Sequence, residues 1–219
     1  MEKVIFDNIG LDMDGVLVDL EKYQLEKGIA YFCKKFNVSP EEVVKNINAY
    51  DIEDIFGCTR DQRMTFWVRY IWEYCLLTPA REGSREITNK WHQEGRKIDI
   101  ITSRVYVMQE DIIGALFRKM VKIWLFKQGI YYDNIVFCSE KGSAIDKSNA
   151  CIDCKTKIMG EDKLDNVDAI SENCLVACFN AKWNQNFEKE NVYRVNNIYE
   201  MDNLIHKLEK EKTKSLKLR

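Results

Sequence analysis

Residues 4–19, VIFDNIGLDMDGVLVD, decide how the rest of the chain is read. Val4, Ile5, Phe6, Ile9, Leu11 and Met13 form an apolar run that predicts a buried strand over 4–13, ending near Asp12. Asp12 and Asp14 place two carboxylates two residues apart at the end of that strand, with Gly15 directly after them. Such charges are costly to bury unless they are compensated. A divalent cation compensates them. Magnesium takes oxygen ligands, and the Asp12 side chain and the Asp14 backbone carbonyl suit it. Gly15 lets the chain turn sharply, so that backbone N–H groups face a phosphate. A lone pair of aspartates would read as an ordinary turn. The whole string behind an apolar strand is far more specific.

Downstream, from about 19 to 79, the apolar spacing is helical throughout. Leu20, Tyr23, Ile29, Tyr31 and Phe32 mark one helix. Ser39-Pro40-Glu41-Glu42 is a helix start, with an N-cap hydroxyl, proline in the first turn and acids facing the dipole. Thr59 with Gln62 has the form of a capping box and opens an aromatic-rich helix through about Cys75. After Pro79 the rhythm alternates. Helices are expected over 83–94, stopped by Gly95, over 107–128, stopped by Gly129, over 144–155, and at the close over 198–211. Strands are expected over 97–103, 135–138, 158–160, 175–179 and, at an edge, 192–195. This alternation predicts an α/β fold, a Rossmann-like doubly wound parallel sheet whose strand C-termini share the edge where ligands bind. The catalytic core is then 1–19 with 80–211, and 20–79 is a helical insertion placed to lie over that edge. Residues 212–219 read as a basic tail, a frayed helix end in solvent.

The bulk numbers agree with a folded enzyme-sized chain of 219 residues, 46% hydrophobic and 31% charged. A net charge of −2 argues against a general binder of nucleic acid or anionic membranes. No apolar run approaches the roughly 20 residues of a membrane helix. The opening MEKVIFDNIG lacks the apolar stretch and cleavage site of a signal peptide, so a cytoplasmic location is expected. The eight cysteines lie mostly in apolar segments and are expected to act as small buried hydrophobes. Cys151 and Cys154 form a CxxC pair, but Cys174 and Cys178 have the wrong spacing to complete a zinc site, and His92 and His206 are distant in sequence.

DMDGVLVD, residues 12–19, resembles the first motif of the haloacid-dehalogenase superfamily, DxDGx[LV]xD. The resemblance implies that Asp12 is a nucleophile forming an aspartyl-phosphate. It implies that Asp14 protonates the leaving oxygen and then activates water. The physical logic stands beside it: a carboxylate nucleophile splits phosphoryl transfer into two steps, and one acid/base serves both. Three further stations follow in order. Ile101-Thr102-Ser103-Arg104 resembles the second motif, which implies the Thr102 hydroxyl and the Ser103 amide on the phosphoryl oxygens. Arg104 reads equally as a phosphate contact or a surface salt bridge. The family's lysine falls on Lys147 or Lys141, and its separation from the acidic motif favours Lys147. Ile158-Met159-Gly160-Glu161-Asp162 resembles the acidic metal motif. This implies Asp162 as a direct ligand and Glu161 as a direct or water-mediated one. The commoner form has two aspartates, so the division of labour between Glu161 and Asp162 stays open. Asp165 and Asn166 read as supports of those ligands or as caps of the next helix. The implied metal set is Asp12, Asp14, Glu161 and Asp162, holding Mg²⁺. Metal, lysine, hydroxyl and amides together neutralise phosphoryl charge, which suits a transition state governed by positioning and electrostatics. The resemblance covers about 4–19 and 80–200.

Substrate choice falls to the insertion, which the family calls a C1 cap. Its aromatic stretch is Phe66-Trp67-Val68-Arg69-Tyr70-Ile71-Trp72-Glu73-Tyr74. Helical spacing puts Phe66, Tyr70 and Tyr74 on one face and Trp67 with Ile71 on another. Most of these rings are expected to pack the insertion itself. Trp67 and Tyr70 are the candidates to stack on a nucleobase, and Arg63 or Arg69 to contact a sugar or second phosphate. Residues 79–86, 124–133 and 179–184 resemble the deoxyribonucleotidase branch of the superfamily. Together these imply a phosphatase whose partner is a small-molecule phosphate ester, a nucleoside monophosphate. No membrane partner is expected, the charge disfavours nucleic acid, and a homodimer stays open. Sugar phosphates, nucleic-acid 3′-phosphate ends, and non-catalytic binding of a phospholigand are the alternatives.

Overall fold

Among the described residues, six strands form one sheet in the order β3-β2-β1-β4-β5-β6, and every neighbouring pair is parallel. They are β1 (Asn8–Leu11), β2 (Lys97–Thr102), β3 (Asn134–Phe137), β4 (Ile158–Glu161), β5 (Leu175–Phe179) and β6 (Val192–Val195). The computed structural model describes residues 5–217, so Val4 and the last residues of the basic tail lie outside the described part. The doubly wound sheet read from the sequence is present. Its first strand lies centrally, flanked by β2 and β4, where a crevice opens at the strand C-termini.

Alternation within the strands separates two apolar layers. Ile98, Ile100, Ala177 and Phe179 face one cluster with Trp91, Trp124, Met201 and Ile205. Ile101, Met159, Val176 and Cys178 face the other, with Ala150, Cys151, Val167 and Ile170. Period-two alternation in strands covered on both faces is what a sheet between two helical layers requires. The first layer comes from α6 (Ser84–Gln93), α7 (Ile112–Gln128) and α10 (Ile198–Lys217). The second comes from α8 (Ser143–Asp153) and α9 (Leu164–Ser171).

All of the chain between β1 and β2 is helical or loop. α1 (Leu20–Gly28) continues through a wider turn at Ile29–Cys33 into α2 (Lys34–Phe36). Then follow α3 (Pro40–Asn46), α4 (Ile52–Phe56) and α5 (Arg60–Leu77). The caps read from sequence are formed: Ser39 Oγ accepts from Glu42 N–H at 3.2 Å, and Thr59 and Gln62 close a reciprocal capping box. The insertion has its own apolar cluster of Tyr31, Phe32, Val43, Ile52, Ile55, Phe56 and Phe66.

Three boundaries and one capping assignment differ most from the sequence reading. β1 is shorter than 4–13, because Met13 leaves the sheet for a tight turn in which its carbonyl accepts from Leu17 and Val18 N–H. α7 starts at Ile112, not 107, because the Asp111 carboxylate caps it on Gly114 N–H at 2.9 Å. The carbonyls of Val107 and Gln109 are tied instead to Arg118. α10 runs on to Lys217, so residues 212–217 are helix rather than a frayed tail. Asp165 and Asn166 do not cap α9. Asp165 sits inside its first turn, and Asn166 accepts from Ser143 Oγ at 2.9 Å, joining α9 to α8.

The far edge of the sheet is closed by Glu209 of α10. Its carboxylate accepts from Ile5 and Phe6 N–H, both at 3.1 Å, and from both terminal nitrogens of Arg96 at 2.8 and 2.9 Å. Burial pushes the Glu209 pKa up, but Arg96 and the backbone donors outweigh it, so the carboxyl titrates below its ordinary value. A depressed carboxylate pKa contributes stability that is present above the unfolded value and lost as pH falls through the folded one. Glu209→Gln is therefore expected to lower stability at neutral pH by about 1.5–3 kcal/mol. It is also expected to flatten the loss of stability on acidification below about pH 4.5, the ordinary glutamate value. Urea melts of both proteins at neutral and acidic pH check this.

Candidate active site

β1 and β4 run side by side, with Leu11 opposite Gly160, and Asp12 N–H donates to the Gly160 carbonyl at 3.0 Å. This register brings the acids of the first and fourth motifs to one edge. One carboxylate oxygen from each of Asp12, Glu161 and Asp162 lies within 4.8 Å of the others, and all three residues are buried. Lys147, on the second turn of α8, reaches between them. Its ammonium donates to Asp12 Oδ2 at 2.8 Å and to Glu161 Oε2 at 2.7 Å, and the residue is 1% exposed. Lys141 is exposed in the turn before α8. Of the two lysines, Lys147 is the one placed at the carboxylates.

Glu161 and Asp162 are used differently. Glu161 Oε1 accepts from Asp162 and Lys163 N–H, each at 3.1 Å, while its other oxygen takes Lys147. Asp162 Oδ2 and Asp12 Oδ1 are buried and have no hydrogen-bond partner among the described residues. Buried polar atoms are normally satisfied, so an orphaned pair asks for a missing group. Gly15, at φ +82°, lies against the same Asp162 carboxylate, and a Cβ there would overlap it. Charge points the same way. Asp12, Asp14, Glu161 and Asp162 face Lys147 and Arg104, which leaves two negative charges uncompensated when all are ionised. The residues therefore fit a divalent cation bound by hard oxygens, with Asp12 and Asp162 offering free carboxylate oxygens.

Without such a cation, burial dominates. It pushes the Asp12 carboxyl up to about 7, with Lys147 pulling it back only in part. Asp162 is raised well above its ordinary value by burial first and the neighbouring Glu161 charge second. Lys147 goes the other way. Burial opposes its charge, but Asp12 and then Glu161 outweigh that and raise its pKa.

The remaining sequence candidates are placed as follows. The Thr102 hydroxyl, at the end of β2, is fully buried and has no partner among the described residues. Ser103 beside it is half-buried. Arg104 forms a salt bridge, but a buried one rather than a surface one. It pairs with Asp14 at 2.6 Å through Nη2 and at 3.0 and 3.1 Å through Nε. Trp67 and Tyr70 are half-buried and pack on Phe66, with ring centroids 5.1 and 5.0 Å away. The ring that reaches the acidic turn is Tyr74, one helical turn beyond Tyr70, whose hydroxyl donates to Asp14 Oδ1 at 2.5 Å. Burial, then the Asp14 charge, lifts the Tyr74 pKa well above its ordinary value, so it remains a donor at any working pH. The Asp162 carbonyl is held by Trp183 Nε1 at 3.1 Å and Asn184 Nδ2 at 2.8 Å. Tyr50 stands edge-on to Trp183 at 5.1 Å. Sequence reading gave no site role to Tyr74, Asn184, Tyr50 or Trp183. Tyr74 had a signal in its place on one helical face with Phe66 and Tyr70, and Trp183 and Asn184 in the resemblance of 179–184 to the nucleotidase branch.

A parallel sheet with this acidic centre at the carboxyl ends of β1 and β4, and a helical insertion after β1, defines a phosphatase of the haloacid-dehalogenase superfamily. Residues 5–212 match the model of the family described as "5' nucleotidase, deoxy (Pyrimidine), cytosolic type C protein", and the chain belongs to that family. No curated protein sequence matches the chain. Similar solved structures share the fold. One is described as a "predicted phosphatase from Clostridium acetobutylicum", 17% identical with a TM-score of 0.62, covering 93% of this chain and 98% of that one. Another is a haloacid dehalogenase-like hydrolase from Bacteroides fragilis, 12% identical with a TM-score of 0.60, covering 90% of this chain and 99% of that one. A hydrolase from Streptococcus pneumoniae is 8% identical with a TM-score of 0.55, covering 80% and 94%. Among the described residues, no helix is long and apolar enough to cross a membrane.

Proposed function

We propose that the chain hydrolyses nucleoside monophosphates through an aspartyl-phosphate on Asp12. The observation that carries the reading is the pair of orphaned buried oxygens, Asp12 Oδ1 and Asp162 Oδ2, on clustered carboxylates, with Gly15 against Asp162 and the buried Lys147 on Asp12. Asp12, the Asp14 backbone carbonyl and Asp162 would hold Mg²⁺, which would supply positive charge against the phosphoryl oxygens. Glu161 serves by fixing Lys147 and the backbone of the following turn. Lys147, the Thr102 hydroxyl, the Ser103 amide and the turn at Gly15 receive the phosphoryl group. Asp14 gives a proton to the leaving oxygen and takes one from water in the second step. Residues 1–19 and 80–211 are the catalytic core, and 20–79 are the cap that selects the ester. Membership in a nucleotidase family supports the substrate class.

Phosphate release from nucleoside monophosphates, sugar phosphates and 3′-phosphorylated oligonucleotides, with Mg²⁺, tests the substrate. A preference for one nucleotide set is expected. Turnover confined to sugar phosphates would keep the mechanism and discard the nucleotide. The metal has its own test. Carboxyls whose folded pKa is raised favour the fold at low pH, and that contribution is lost as pH rises through the folded value. For Asp12 this window runs from its ordinary 3.8 to about 7. Metal-free protein should therefore melt lower at pH 8 than at pH 5.5. A saturating excess of Mg²⁺, near a hundred dissociation constants, should raise the midpoint at pH 8 by about 5–10 °C, and far less at pH 5.5. Equal shifts at the two pH values, or none, would place the metal elsewhere.

A further inference from the structure

Asp14 sits where three separate parts of the fold meet. The tight turn after β1 presents it, the loop after β2 brings Arg104, and α5 of the helical insertion brings Tyr74. Tyr74 and Arg104 are 4% and 5% exposed, so neither contact is a surface accident. The Arg104 guanidinium lies over the Tyr74 ring, 5.1 Å from its centroid, and 6.0 Å from that of Trp124. Tyr74 is itself wedged between Tyr23 at 4.8 Å and Trp67 at 5.6 Å, both on the insertion. Moving the insertion therefore moves Tyr74, and with it the stack that orients Arg104. On Asp14 the donors are unevenly shared. Oδ1 receives Tyr74 Oη at 2.5 Å and Arg104 Nη2 and Nε at 2.6 and 3.0 Å, while Oδ2 shares only Arg104 Nε, at 3.1 Å.

We propose that Tyr74 and Arg104 are positioning residues that aim the Asp14 carboxyl at the leaving oxygen, so that proton transfer requires the insertion to be seated on the sheet. This rests on the reading of Asp14 as acid and base. With Oδ1 taken up by three donor atoms and Oδ2 by one that it shares, Oδ2 is the less engaged oxygen and the one to carry the transferable proton. In the first step Asp12 bonds to phosphorus, the ester P–O bond breaks, and the Oδ2 proton goes to the leaving oxygen. In the second, water bonds to phosphorus, its proton returns to Asp14, and the Asp12–phosphorus bond breaks to release phosphate. Each step balances, and both aspartates end as they began.

Leaving-group chemistry separates positioning from a merely structural role. A nucleoside monophosphate expels an alkoxide that needs the proton, whereas p-nitrophenyl phosphate expels a stable anion that does not. Tyr74→Phe keeps the ring and its stacking but removes the donor. It is expected to lower kcat on the best alkyl ester of the panel about 10–100-fold, with KM within about threefold. The first-turnover burst of nitrophenolate should keep its rate within about threefold. Arg104→Lys retains the charge but not the two-point grip, and should show the same split. If Tyr74→Phe melts far below wild type, Arg104→Lys decides by the same criterion. Equal losses in the first turnover of both esters, or unchanged turnover of the alkyl ester, would overturn the proposal and leave the phosphatase reading standing. A wild-type protein that hydrolyses neither ester would overturn both.

Discussion

Asp12→Asn is expected to lower phosphate release from every ester by about 10⁴-fold or more, while the protein stays folded. The substitution changes almost no volume at a residue that is 5% exposed. In the proposed reaction it removes the anion that attacks phosphorus, and it leaves a neutral amide where the buried carboxylate with its orphaned oxygen would face a cation. Stability should move the other way. Asp12 is one of four carboxylates crowded against two cations, and burial already pushes its pKa up to about 7. Neutralising it relieves that repulsion, so the metal-free variant should melt no lower than wild type at pH 8, and its Mg²⁺ shift should shrink. Activity assays beside melts with and without Mg²⁺ check all three outcomes. A variant that stays active would remove Asp12 from the chemistry. One that merely unfolds would show the carboxylate to be structural.

Lys147→Met carries the second large effect. The ammonium is buried between Asp12 and Glu161, at 2.8 and 2.7 Å. Breaking a buried pair by removing one partner costs about 3–5 kcal/mol, because the remaining charges stay buried without compensation. Here two carboxylates are stranded rather than one, so a loss at the upper end is expected in metal-free protein at neutral pH. Mg²⁺ should recover part of it. Turnover should be lost even at metal concentrations that restore the fold, since no other cation of the chain reaches Asp12 Oδ2 among the described residues. Lys141→Ala is the control. That residue is exposed in a turn, and stability should change by no more than about 0.5 kcal/mol, with activity intact. Urea melts and phosphate release on the two variants distinguish the lysines. A mild Lys147→Met beside a damaging Lys141→Ala would reverse the assignment.

The parts of the site that sequence made legible share one physical property. Asp12, Thr102, Glu161 and Asp162 each lie at or just past the C-terminal end of an apolar run, and a parallel sheet carries all such ends to one edge. The apolar runs placed them at strand ends, and the resemblance of those segments to the haloacid-dehalogenase motifs supplied their expected roles. Lys147 was harder, because lysines open many helices, and only its distance from the acidic pair favoured it. The link from Tyr74 and Arg104 to Asp14 was not legible. It closes across 60 and 90 residues of sequence, and no local pattern states where the end of α5 meets the turn after β1. Arg104 illustrates the same limit. A basic residue after a strand-end hydroxyl reads as exposed or substrate-facing, whereas here an acidic partner and two aromatic faces bury it. The late start of α7 had a signal in Asp111, which is a good N-cap residue, but the apolar spacing from Val107 onward outweighed it.

The mechanism requires a phosphoryl group to pass through Asp12. Rapid acid quenching of the wild-type protein during turnover of its best ester, followed by mass analysis of the proteolytic peptides, tests this directly. The peptide containing Asp12 is expected to carry one added phosphoryl group that disappears after alkaline treatment, as an acyl phosphate does. The adduct should be absent in Asp12→Asn. Steady turnover with no phosphorylated peptide at any quench time, or with the adduct on another residue, would contradict the mechanism.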